Sequence, residues 1–318
     1  MDDQLSFPAA LERLFDEERV SLSLLYRLSD MTPGEIDHFA ARWPEQSDER
    51  RRVIARHLAD ISEENFVVDF SPVFRQLLED ASPAVRLAAL DGLWDTTNTA
   101  VVSPILERMQ KDPDERVRAS AAATLGHFVL MGEWGQINKR VAERIVEALL
   151  AQIDKEEVAD AVRRAVLESL SGAAHPRVPE LIDSAYRHGG EAMRASAVFA
   201  MGRSADPRWA PIVLDEMMSP QMEMRIEAAR AAGSIGQSDF VHRLAELVAD
   251  DDLEVQLAAV TSLGQIGSEE AYEILRRIAA DPDFEYLATA AEEAIEEIEW
   301  LGGELDLSLF DWDDDEAT

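Results

Sequence analysis

Apolar residues recur along most of this chain at intervals of three and four, the spacing that lines one face of an α-helix. One phrase keeps returning: Val-Arg, two residues, Ala, three or four residues, Leu. It runs from Val85-Arg86 to Leu93 and recurs at Val117 to Leu125 and Val162 to Leu170. Substituted copies lie at Met193 to Met201 and Met224 to Ala232. Another follows at Val255 to Leu263, with a degenerate one at Tyr286 to Ala294 and an early one at Arg50 to Leu58. The last five starts (162, 193, 224, 255 and 286) are spaced by 31 residues each time, a regularity that marks an internal repeat. Each unit also has a first half, seen in Pro176 to Ile182, Pro207 to Val213 and Ser268 to Leu275. Both halves have helical spacing, so the pattern predicts helix–turn–helix units of about 31 residues.

Punctuation agrees with this reading. Asp112-Pro113, Asp206-Pro207 and Asp281-Pro282 join a capping type of residue to the residue that suits a first helical turn. Gly202, Gly236 and Gly264 are placed just past the second helices, where a left-handed cap favours glycine. A single helix pair cannot bury its apolar face, and stacking on neighbours does so. Ala88, Ala121, Ala197, Ala228 and Ala259 permit close helix approach, while Leu93, Leu125, Leu170 and Leu263 fill the seams. The predicted fold is all-α: a right-handed α-solenoid of about eight units, first helices outside and second helices inside.

These residues carry a resemblance. The Asp-Pro-Arg of Asp206 to Arg208, the Val-Arg-x-x-Ala phrases, and Leu125-Gly126 and Leu263-Gly264 resemble HEAT-like repeats of the phycobilisome-lyase type. The resemblance spans residues 47 to 298. It implies the solenoid fold, and it leaves function open, because such repeats occur in scaffolds, lyase subunits and iron hydroxylases.

Three segments stand outside the regular register. Residues 1 to 46 lack the phrase and are read as a helical cap, with Thr32, Pro33 and Glu35 arranged as a helix start. The solenoid is assigned to residues 47 to 300. The interval between Val117 and Val162 holds 14 extra residues, placed near 131 to 138, where Trp134 lies between two glycines. They predict a loop joining two lengthened helices. Trp134 then either folds onto its own helix or contacts a partner. Residues 301 to 318 form an acidic aromatic tail in which Leu305, Leu307, Leu309, Phe310 and Trp312 make an apolar stripe among carboxylates. The last helix is expected to end near Trp300 at Gly302-Gly303, and the tail is either docked or free.

Charge narrows the list of partners. The 318 residues carry 64 acidic and 30 basic side chains, a formal charge of −34. After Arg277 there are 15 Asp and Glu and no Lys or Arg. Such a surface repels phosphate backbones and anionic bilayers, so neither nucleic acid nor membrane is expected as a partner. The acidic N-terminus lacks the features of a signal peptide, and no apolar run is long enough to span a bilayer, so a soluble cytoplasmic protein is expected. Cysteine is absent, which removes disulfides, thiolate catalysis and thiolate-ligated metals.

Candidate chemistry is sparse. Arg51, Arg86, Arg118, Arg163, Arg194 and Arg225 share one repeat position and are read as a structural ladder. Each is expected to bridge to an acidic residue of the neighbouring turn, such as Asp114, Asp252 or Asp283. Gln256 and Leu287 interrupt the ladder. No two of the six histidines lie three or four residues apart, and none is followed by Glu, so the His-Glu pairs of the related hydroxylases are missing. The aspartates at 311, 313 and 315 open like a calcium loop, but Glu316 replaces the required glycine. No nucleophile motif or phosphate loop is present. Met217, Met218, Met222 and Met224 cluster at one turn and are read chiefly as core. Trp209 replaces a small residue and is expected at an exposed outer edge.

The residues therefore predict a non-enzymatic protein-interaction scaffold. It would have no cofactor, metal or catalytic residue, and would bind protein partners with basic surface through the inner face, the tail or both. Trp134, Trp209, Leu307, Phe310 and Trp312 are the candidate contacts. An enzyme or enzyme subunit related to bilin lyases or iron hydroxylases is the alternative, although no cysteine is present to hold a bilin thioether. The oligomeric state is left open.

Overall fold

The computed structural model describes residues 5–16, 20–65 and 67–304, and these form eighteen α-helices. Helices α1 (Phe7–Asp16), α2 (Leu22–Tyr26) and α3 (Pro33–Arg42) come first. The phrase-bearing helices are then α4 (Asp48–Glu64), α6 (Pro83–Asp91), α8 (Glu115–Glu133), α10 (Asp160–Leu170), α12 (Glu191–Arg203), α14 (Met222–Ile235), α16 (Leu253–Ile266) and α18 (Ala288–Glu304). Between them lie α5 (Ser71–Leu77), α7 (Val102–Lys111), α9 (Lys139–Ile153), α11 (Val178–His188), α13 (Ala210–Glu216), α15 (Val241–Leu247) and α17 (Glu269–Ala280). Seven phrases start within second helices, and the degenerate one starts in the 3-10 turn Pro282–Leu287 that leads into α18.

The chain divides into two compact units at Val178 and Pro179. In the first, α4, α6, α8 and α10 pack side by side in order, with α5, α7 and α9 behind them on α6, α8 and α10. In the second, α12, α14, α16 and α18 form the corresponding layer, backed by α13, α15 and α17. Each unit is thus a two-layer stretch of solenoid. The seam residues Leu93, Leu125, Leu170 and Leu263 are fully buried. Burial of such a side chain contributes about 1.5–3 kcal/mol.

Two kinds of residue set the helix ends. The Thr32 hydroxyl donates to the Glu35 carboxylate at 2.7 Å and the Thr32 N–H donates to it at 2.9 Å, and these bonds, the hydroxyl's first, draw the Glu35 pKa below its usual range. Ser47, Asp114, Asn138 and Ser268 each accept an N–H from the first turn of the following helix. Asp206 and Asp281 cap the 3-10 turns that begin at Pro207 and Pro282, by accepting the N–H of Arg208 and Asp283, whereas Asp112 precedes no helix directly. Asp80, Asp112, Asp250 and Asp281 lie in the turn between the two helices of a pair, and each accepts the N–H two residues on at 2.7–3.0 Å.

The glycine assignment is corrected at two positions. Gly236 does take the left-handed conformation, at φ 73°, but Gly202 and Gly264 lie inside helices, and Gly267 (φ 62°) caps α16. Gly126, Gly202, Gly233 and Gly264 all fall nine residues after the phrase start, where one second helix crosses the next. A Cβ there would come within 2.9 Å of Ser169, 2.6 Å of Ala231, 2.2 Å of Gln265 and 2.8 Å of Ala294. Crossing, not capping, requires these glycines. At the C-terminal end, α18 continues through Gly302 and Gly303 to Glu304 instead of stopping near Trp300.

Candidate partner-binding surface

Five of the six ladder arginines (Arg51, Arg86, Arg118, Arg163 and Arg225) share one device. The guanidinium at the second phrase position turns back onto the carbonyls that end its own first helix. Arg86 donates to Asp80 O at 2.7 Å, Arg118 to Asp112 O at 2.7 Å and Arg225 to Ser219 O at 3.0 Å, each six residues back. Arg51 donates to Gln46 O and Arg163 to Ile153 O. Gln256 keeps the role with its amide, donating to Asp250 O at 2.6 Å.

Four of the six ladder arginines reach a carboxylate from the following pair. Arg86 grips Asp112 with two bonds of 2.8 and 2.7 Å, and both side chains are buried. Arg51 reaches Asp80 at 3.0 Å, Arg225 reaches Asp250 and Asp252, and Arg194 reaches Glu216. Of the acidic residues expected as partners, Asp252 meets Arg225, while Asp114 bonds Arg116 and Arg86 takes Asp112 instead. Bonds from Arg116 hold the half-buried Asp114 carboxyl at about 2. At Glu216 a second donor joins: Tyr186 Oη lies 2.5 Å from the carboxylate, and the Arg194 guanidinium sits 5.2 Å from the Tyr186 ring centre. Burial and that bond raise the Tyr186 pKa.

Asp250 ties the ladder to pH. Burial is the largest single influence and raises its pKa, but the bonds and charge of Arg225 together with the N–H groups of Asp251 and Asp252 outweigh it, and the net displacement is downward. A carboxyl lowered by folding contributes stability above its unfolded pKa, and that contribution is lost as pH falls through the folded value. Thermal scans should therefore show wild-type melting falling more steeply than that of Asp250→Asn below about pH 4. Parallel curves would show that the pair adds nothing.

The predicted contact residues separate. Trp209 is buried at 5% exposure, which corrects its expected place on an outer edge. Its Nε1 has no hydrogen-bond partner among the described residues. Trp134 is 65% exposed. Leu307, Phe310 and Trp312 lie outside the described residues. Met217 and Met224 are core, while Met218 is exposed. The sequence reading missed the exposed side chains of Trp94, Leu253, Leu257 and Tyr286. Leu257 alone carried a signal: it occupies the outward position two residues after its phrase start.

Trp134 stands on a rigid hairpin. α8 ends at Glu133, Gly135 takes φ 70°, and the Gln136 N–H returns to Met131 O at 2.8 Å, closing the helix in a Schellman turn. Asn138 then caps α9 by accepting from the Arg140 N–H. A Cβ on Gly132 would lie 2.5 Å from Ala142 Cβ, so the two helices start in close contact. The Glu133 carboxylate accepts the Ala174 N–H at 3.0 Å, latching the hairpin to the turn after α10. Between these parts lies a cavity of about 500 Å³. Ile137, Ala142, Val146 and Ala173 form its apolar lining, and Glu133, Glu143, Glu147, Lys139 and His175 supply charge and polarity. His175 Nδ1 accepts the Arg177 N–H at 3.3 Å.

Other chemistry is thin. No group of three or more His, Cys, Asp or Glu among the described residues could hold a metal ion. No described helix is long and apolar enough to cross a membrane.

Comparison with known proteins places this architecture. The family model described as HEAT repeats matches residues 36–126, 70–142 and 210–296, together more than half of the chain. No curated protein matches the sequence. Among solved structures, the chain is similar to the complex of CpcE and CpcF of phycocyanin lyase from Nostoc sp. PCC7120, at 18% identity and a TM-score of 0.54 over 78% of this chain and 93% of that one. It also matches importin beta at 16% identity and a TM-score of 0.48, over 87% of this chain and 42% of that one. Human deoxyhypusine hydroxylase matches at 16% identity and a TM-score of 0.37, over 84% and 96%. At these identities the likeness is one of fold. Helix pairs stacked in two layers, a recurring phrase at the start of the second helices and the family match lead to one conclusion: this chain belongs to the HEAT-repeat family.

Proposed function

We propose that the chain is a non-enzymatic scaffold that binds protein partners bearing basic surface. One observation carries this reading: its own carboxylates already engage many of its cations. Arg52, Arg56, Arg177, Arg187 and Arg243 pair nearer the surface, the half-buried Arg108 pairs with Glu79, and Arg51, Arg86 and Arg225 pair in the turns. The surplus of acidic over basic residues, 64 against 30, is then what a partner meets. A field of that sign accelerates encounter with cationic surfaces and repels anionic ones.

The 31-residue spacing supports assigning the repeats to the short phycobilisome-lyase type. The division into a cap (1 to 46), a solenoid (47 to 300) and an acidic tail (301 to 318) belongs to the same proposal.

Affinity capture from native lysate at low and high salt tests the scaffold reading, with the full chain beside one truncated after Gly302. Basic proteins should be retained at low ionic strength and released at high, because exposed charges are screened within about 8–10 Å near physiological salt. A retained set that ignores salt, or iron or a chromophore in the purified protein, would overturn it.

A further inference from the structure

We infer that the α8–α9 hairpin notch is a docking site for a peptide segment that presents a Lys or Arg beside an aliphatic or aromatic side chain. The inference rests on the scaffold reading and gives it a location. Four observations support it. The notch has an apolar floor (Ile137, Ala142, Val146 and Ala173), so a partner side chain gains by burial there. Its wall is acidic: Glu133, Glu143 and Glu147 face one lysine, Lys139, which already lies 3.7 Å from Glu143. An entering cation therefore finds surplus carboxylate, and a segment bearing a carboxylate is repelled.

The rim supplies the third observation. Trp134 stands between two lining residues, Glu133 and Gly135, with 65% of its surface exposed. Exposed Trp on a fixed turn is the residue type that most often anchors an interface. The fourth is preorganisation. The Schellman turn at Gly135, the Asn138 cap and the Glu133–Ala174 bond fix the notch before anything binds, so little ordering entropy is spent on association. The 14 extra residues of this repeat thus build a shaped and charged surface at one place along the array.

The test uses full-length protein and a random twelve-residue peptide display library. Peptides selected on wild-type protein at low salt are synthesised and titrated by fluorescence anisotropy against Trp134→Ala, the double variant Glu143→Gln/Glu147→Gln and the remote control Glu270→Gln. Glu143 and Glu147 are exposed, so their amides leave the fold intact, and circular dichroism verifies it. Selected peptides should place Lys or Arg within a few residues of an apolar side chain. Their Kd should rise at least tenfold with either notch variant and stay unchanged with the control. Equal binding to every variant would overturn this location and leave the scaffold reading standing. Selection of acidic or uncharged peptides only would overturn both. Failure to select any peptide would overturn the notch as a peptide site, and salt-dependent capture of whole proteins would then decide the scaffold reading separately.

Discussion

Asp112→Ala should destabilise the α5–α8 region by about 3–5 kcal/mol, the cost of leaving one member of a buried ion pair uncompensated. Asp112 is fully buried at the side chain and Arg86 nearly so, at 0% and 5% exposure. Truncation removes both bonds to the guanidinium and the acceptor for the Asp114 N–H. Arg86 stays in place, because its Nη1 still holds Asp80 O and Ala81 O. A charge then remains in the interior without its counterion. In a repeat array each unit touches its neighbours, so the damage should be local. Native-state amide exchange reads it: protection should drop across α5–α8 and hold in α14–α16. Equal protection in the mutant would show that the pair is not buried as described. The double replacement Arg86→Met/Asp112→Leu should cost less than the sum of its parts, since an apolar pair removes the desolvation problem. It will not be free, because the carbonyls that Arg86 caps lose their donor.

Gly202→Ala and Gly34→Ala should move stability in opposite directions. Both add one methyl group to a helix. At Gly34 the new Cβ meets nothing within 4 Å, and the gain is the ordinary helix preference of alanine over glycine, about 0.5–1 kcal/mol. At Gly202 the Cβ would stand 2.6 Å from Ala231 Cα and 2.9 Å from Ala231 Cβ, so α12 and α14 must separate. Overpacking of this kind costs about 1–3 kcal/mol, and the upper end applies because backbone must yield. Chemical denaturation of the two variants beside wild type decides the matter. A neutral or stabilising Gly202→Ala would mean that the second helices do not cross this closely.

Sequence alone determined the fold class, because the hydrophobic phrase recurs at a constant interval and no single helix pair can bury its own face. For that reason seven of the eight phrases start within second helices, and the eighth starts in the turn that leads into one. The arginine position was legible as a shared repeat feature, and so was the anomaly at Trp134, because both are departures or regularities in a one-dimensional pattern. Partner choice was not legible. Whether Arg86 meets Asp112 or Asp114 depends on the geometry of the turn, in which Asp112 faces inward and Asp114 caps α8. Gln256 breaks the ladder when charge alone is followed, whereas the role it shares with Arg86, Arg118 and Arg225 is donation to a carbonyl six residues back.

The leucine-glycine signal shows the same limit from the other side. Spacing placed a glycine near each helix end, where capping is the common local reason for glycine. Only tertiary structure shows that Gly202 and Gly264 lie within helices and face a neighbouring helix, so contact across repeats requires them. Burial of Trp209 and exposure of Trp134 are likewise indistinguishable in sequence, since both are tryptophans at irregular positions. Periodicity encodes which elements form and which face is apolar. Which residue on a neighbouring helix fills, pairs with or excludes a side chain depends on distances between segments far apart in the chain, and those exist only once the layers have packed.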